Sequence, residues 1–208
     1  MQLPAIAAFA LTCATLASAS WPMTDIIEHI APGSKTCKPD NTECRTAKQA
    51  APYIFQSMFV YGLYNPNQMA AVIALMALES GEFAYKTNHF PAPGRPGQGT
   101  ANMQMAKFNL EYAKSIEAVR HKVANVTSVD GLPDAELNRI RSLVTVDRYN
   151  FGSGAWFLRN ECGEEVVEAL RADIDKGFEV YMECVGVEVD EARLGYLNKA
   201  KEAFGLDK

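Results

Sequence analysis

The run NPNQMAAVIALMALESG, from Asn65 to Gly81, decides the fold class. Asn65 offers a side-chain acceptor to the unpaired amides of a helix start, and Pro66 already has the backbone angle of a first helical turn. Every residue from Met69 to Leu78 is apolar, so this helix has no face suited to water and belongs in a core. Gly81 stops it. Glu79 then sits where partial desolvation and the negative end of the helix dipole both favour the protonated carboxyl. Glu79 is therefore a candidate general acid, with the Ser80 hydroxyl beside it.

Outward from this run the chain continues to read as helix. Residues 46 to 62 carry Tyr53, Phe55, Phe59 and Tyr61 and read as a second core element. Further helices are expected at 104 to 124, 133 to 146, 153 to 160, 163 to 175, 177 to 184 and 190 to 204. In the fourth of these, Val166, Val167, Leu170 and Ile174 recur at helical spacing, with Gly163 and Gly177 as boundaries. Strand patterns are scarce, so the expected class is mainly α, with a buried central helix ending at Glu79. At 208 residues, 48% of them hydrophobic and 22% charged, the chain suits one domain over 20–208. Residues 20–45 are rich in turn formers and read as an N-terminal strap. The stretch 86 to 102, KTNHFPAPGRPGQGTAN, is punctuated by prolines and glycines and reads as a long loop of the kind that carries function.

The first nineteen residues, MQLPAIAAFALTCATLASA, are uncharged, largely apolar and end in a small-residue cleavage pattern, so 1–19 reads as a signal peptide of a secreted, extracellular protein. Its removal takes Cys13 and leaves Cys37, Cys44, Cys162 and Cys184, an even number suited to two disulfides. Three pairings are open, and the local one, Cys37–Cys44 with Cys162–Cys184, is preferred. No CxxC occurs and His29, His89 and His121 stand in unrelated contexts, so neither a metal site nor a cofactor is expected. Asn125-Val126-Thr127 matches the N-glycosylation acceptor pattern. A net charge of −5 disfavours nucleic acid and anionic membranes and suits a neutral polymer. The chain is expected to be a monomer.

Three segments carry polar residues in a telling order: Glu79-Ser80, then Gly99-Thr100-Ala101-Asn102-Met103-Gln104, then Tyr149-Asn150-Phe151-Gly152-Ser153-Gly154. In content and order they resemble the lysozyme-like superfamily, in particular goose-type lysozymes and soluble lytic transglycosylases. The resemblance spans about residues 75 to 156. It implies Glu79 as the catalytic acid, with Ser80, Asn102, Met103, Gln104, Tyr149 and Asn150 binding substrate. Asn102 departs from the leucine usual in the family. A second carboxylate, if the enzyme inverts, has to stand about 6.5 to 9.5 Å away, and Glu82 and Asp147 are the two on offer. The resemblance thus implies a glycosidase cleaving β-1,4 bonds of N-acetylhexosamine polymers such as peptidoglycan or chitin, while the signal peptide and the acceptor triplet suggest a fungal or similar eukaryotic secretor. The rival expectation is a non-catalytic carbohydrate-binding or host-interaction protein on the same fold.

Overall fold

The apolar run forms a helix, and the other helices are wrapped around it. A computed structural model describes residues 22–207, so the expected signal peptide lies outside the described residues. In chain order the helices are α1 (Met23–Ile30), α2 (Ala47–Val60), α3 (Pro66–Glu79), α4 (Ala106–Ser115), α5 (Glu117–Arg120), α6 (Asp134–Val144), α7 (Asp147–Asn150), α8 (Ser153–Phe157), α9 (Gly163–Ala172), α10 (Ile174–Val185) and α11 (Glu191–Phe204). No strand occurs among the described residues; two isolated bridges, Thr87 with Gly99 and Gly99 with Gln104, pin the long loop. The fold is mainly α. No helix among the described residues is long and apolar enough to cross a membrane.

α3 starts where its caps dictate: the Asn65 side chain accepts from the Asn67 amide at 2.9 Å, and Pro66 is the first helical residue. Every residue from Gln68 to Ala77 is buried. Gln68 tolerates this because its amide donates to the Val167 carbonyl at 2.9 Å. α3 packs chiefly against α11 and also touches α1, α8, α9 and α10. The approach of α8 is close because Gly154 has no side chain; a Cβ there would meet Met76 Sδ at 2.8 Å and Val72 Cγ1 at 3.0 Å. A second apolar cluster joins Leu110, Tyr112 and Ala113 of α4 to Ile140 and Val144 of α6 and to Trp156 and Phe157 of α8.

Several boundaries differ from the sequence expectation, each for a local reason. The helix expected over 104 to 124 breaks at Ile116, whose backbone is extended (φ −90°, ψ 111°), into α4, α5 and a 3-10 turn at His121–Val123. The segment expected to end at 175 ends at Ala172, because Asp173 turns extended and caps α10 by accepting from the Asp175 and Lys176 amides. Gly177 is inside α10 rather than at a boundary: a Cβ there would lie 2.4 Å from the Leu170 Cα, so glycine is what lets α10 cross α9. α8 stops at Phe157 and gives way to a π-helical turn, Leu158–Cys162, where the Asn160 side chain donates to the Trp156 carbonyl at 2.9 Å. The N-terminal strap contains α1 and a 3-10 turn at Pro32–Lys35. The segment expected as a second core element is α2, and it is core on one face only: Phe55 is buried while Tyr53 and Phe59 are exposed. Disulfides join Cys37 to Cys44 and Cys162 to Cys184.

Candidate functional site

The end of α3 is strained. Gly81, Glu82 and Phe83 follow one another with φ of 59°, 59° and 68°, a left-handed run that non-glycine residues rarely adopt. Ser80 anchors it: its hydroxyl donates to the Met76 carbonyl at 2.6 Å and accepts from the Phe83 amide at 2.9 Å. The structure thus gives the buried Ser80 hydroxyl two backbone partners.

Glu79 is covered by α11. Its carboxylate accepts from Arg193 Nη2 at 3.1 Å, and the two side chains are 24% and 16% exposed. Burial raises the Glu79 pKa, and the Arg193 guanidinium opposes the rise without cancelling it. Arg193 also donates to Asp190 at 2.6 Å, while its Nε is buried without a partner. Beside them, burial holds the Tyr181 phenol well above its ordinary range, and the Glu79 charge adds to the effect. Glu82 is occupied as well, accepting from the Tyr196 hydroxyl at 2.8 Å and from the Gly33 amide. Tyr196 is pushed up to about 12, first by burial and then by Glu82.

The loop and the Tyr-Asn segment are brought together. The Ala101 amide donates to the Asn150 carbonyl, and the Thr100 amide to the Lys86 carbonyl at 2.8 Å. Lys86 in turn binds Asp147, which also takes Arg45 Nε at 2.8 Å. Burial alone pushes Asp147 up, yet the hydrogen bonds and charges of Arg45 and Lys86 leave it below the ordinary carboxylate range. Thr100 and Met103 are held at φ of 70° and 46°. Gln104 donates to the Asn109 side chain at 2.9 Å. The side-chain oxygens of Thr100, Asn102, Gln104 and Asn150 are buried without a hydrogen-bond partner among the described residues.

Tyr149 lies on the wall of a separate cleft of about 220 Å³ between α2, α4 and α7. Tyr53, Tyr61 and Tyr112 line it with Tyr149, together with Ser57, Val60, Ile116 and Arg148. The Tyr112 hydroxyl donates to the Tyr149 carbonyl at 3.0 Å, and its ring lies 4.8 Å from that of Trp156. Burial raises both Tyr61 and Tyr112, so each phenol stays protonated, the Tyr112 proton being the one given to the Tyr149 carbonyl. Arg148 stands over the Tyr149 ring at 5.1 Å. Sequence reasoning missed this cleft and missed Arg193, because the partners come from distant segments. The aromatic spacing of α2 was its visible trace. Among the described residues no group of three or more His, Cys, Asp or Glu side chains is placed to hold a metal ion.

Comparison with known proteins corrects the expected kinship. No protein-family model and no solved structure matches the chain. Over 159 residues, 76% of the chain, it is 54% identical to a bifunctional dioxygenase (DOX)-epoxy alcohol synthase (EAS) of Fusarium oxysporum (strain Fo5176). The chain spans 12% of that protein's length. A relative named for dioxygenase and epoxy alcohol chemistry overturns the lysozyme-like reading, and with it the glycosidase, muramidase and transglycosylase activities. Peptidoglycan and chitin fall as partners, and the carbohydrate-binding rival gains nothing. The geometry is in keeping with this: Glu79, Glu82 and Asp147 are each already bound to groups of the chain itself.

Proposed function

We propose that the chain is a helical module serving dioxygenase and epoxy-alcohol chemistry of the kind named for its relative, and that it holds an oxygenated, partly apolar organic molecule in the tyrosine-lined cleft. The observation that carries this reading is the 54% identity over 76% of the chain. The cleft supplies the matching chemistry. Its rings with Val60 and Ile116 suit a hydrocarbon portion, while the Tyr61 phenol and Arg148 offer donors to oxygen. A dioxygenase adds two oxygen atoms, and an epoxy alcohol keeps two. A hydroperoxide thus rearranges to an epoxy alcohol with no further oxidant: the O–O bond breaks, one oxygen bridges two carbons and the other becomes the hydroxyl.

The test is titration of the protein with an unsaturated long-chain hydroperoxide, followed by tyrosine and tryptophan fluorescence, with products read by liquid chromatography and mass spectrometry. Saturable quenching is expected, weakened at least tenfold by Ile116→Arg, which fills the cleft. Absence of both binding and conversion overturns the reading.

A further inference from the structure

We propose that Asn125 is an N-glycosylation site, carrying a glycan added during export of the chain. Asn125-Val126-Thr127 is the one triplet in the sequence with Ser or Thr two residues after Asn and no intervening proline. Its placement makes it usable. The triplet lies in the irregular segment between the 3-10 turn at His121–Val123 and α6, where no helical hydrogen bonds tie up the backbone. Asn125 and Thr127 are both exposed, and Val126 between them is half-buried against the α4 and α6 cluster. The Val126 amide donates to the Val123 carbonyl at 3.0 Å, so the apolar middle residue anchors the turn while the two flanking side chains face outward. The Asn125 amide has no hydrogen-bond partner among the described residues, and nothing in the fold has to be broken to modify it.

A second, independent feature points to the compartment in which this reaction runs. The pairs Cys37–Cys44 and Cys162–Cys184 are both closed as disulfides, which form and persist in oxidising, secretory surroundings. There the co-reactant is a lipid-diphosphate-linked oligosaccharide. Asn125 Nδ2 attacks the anomeric carbon of its first sugar. The N–C bond forms as the C–O bond to the diphosphate breaks, the lipid diphosphate leaves, and the amide proton passes to a base of the transferase. No electron is gained or lost. The sugar is bulky and hydrated, and an exposed turn accepts it without disturbing the core.

The test is expression of the full chain, Met1–Lys208, in a yeast or filamentous fungal host. Intact mass and peptide mapping follow, before and after peptide N-glycosidase. The expected result is a glycan on Asn125 that the glycosidase removes, leaving aspartate at that position. Thr127→Ala should abolish it and Thr127→Ser should keep it, at reduced occupancy, with the two variants equally stable because Thr127 is exposed. Protein recovered from medium or cells with Asn125 unmodified overturns the proposal, as does a glycan that persists in Thr127→Ala.

Discussion

Arg193 neutralises a carboxylate that the fold has largely taken out of water. Replacing it by methionine strands Glu79 beside apolar side chains and should cost about 1 to 2 kcal/mol near neutral pH, between the exposed and buried limits for ion pairs. Burial already raises the Glu79 pKa, with Arg193 opposing. A group raised on folding stabilises fully below its unfolded pKa and loses that contribution as pH rises through the folded one. The deficit of Arg193→Met should therefore shrink at a pH below the unfolded pKa, where the carboxyl is protonated in the folded and unfolded protein alike. Urea melts at the two pH values measure this, and equal deficits at both would mean that Arg193 acts by packing alone. Asp147 carries the opposite sign. Although burial pushes it up, Arg45 and Lys86 leave its pKa lowered, so its stabilisation is present above the unfolded pKa and is lost as pH falls through the folded one. Asp147→Asn should destabilise the protein at neutral pH and match the parent in strong acid. A constant gap across the titration would contradict the assignment.

At the scale of elements, Gly177 is a position inside a helix where a single methyl would force two helices apart. Gly177→Ala would press a Cβ onto the backbone of Leu170 at 2.4 Å, and backbone cannot swing aside as a flexible side chain would. The expected loss is about 1 to 3 kcal/mol, measured by thermal or urea unfolding, against a gain of about 0.5 to 1 kcal/mol for Gly195→Ala, an exposed position inside α11 where a Cβ meets nothing within 4 Å. The same residue shows what the sequence made legible and what it hid. Glycine after an apolar periodicity reads as a helix stop, and at Gly81 that reading agrees with the structure. At Gly177 the glycine serves a crossing between two helices, a tertiary demand that local pattern does not encode. α3 was legible because its cap, its first-turn proline and its apolar run are all local. The break at Ile116 was not, since it carries neither glycine nor proline. The polar segments around Glu79, Gln104 and Asn150 could be found as sequence, but Glu79 meets Arg193 across 114 residues, and no spacing rule reaches that far. Three resembling segments in order consequently pointed to the wrong chemistry.

Across the whole molecule, the two disulfides close loops of very different position and length. Their separations of 7 and 22 residues correspond, by chain entropy, to about 2 and 3 kcal/mol of stabilisation. Double replacement by serine should lower the urea midpoint more for the 162–184 pair, and the reverse order would show that strap docking outweighs loop closure. That pair also clasps the open end of the α9 and α10 hairpin, away from the turn at Asp173. A consequence follows for any process that pulls the chain from one end. With the bond intact, the residues between the two cysteines add no length to a stretched polypeptide, whereas the reduced chain extends about 70 Å further. A pore or an unfolding motor must then admit two strands side by side at this point, so the hairpin acts as a stopper to threading until its cysteines are reduced.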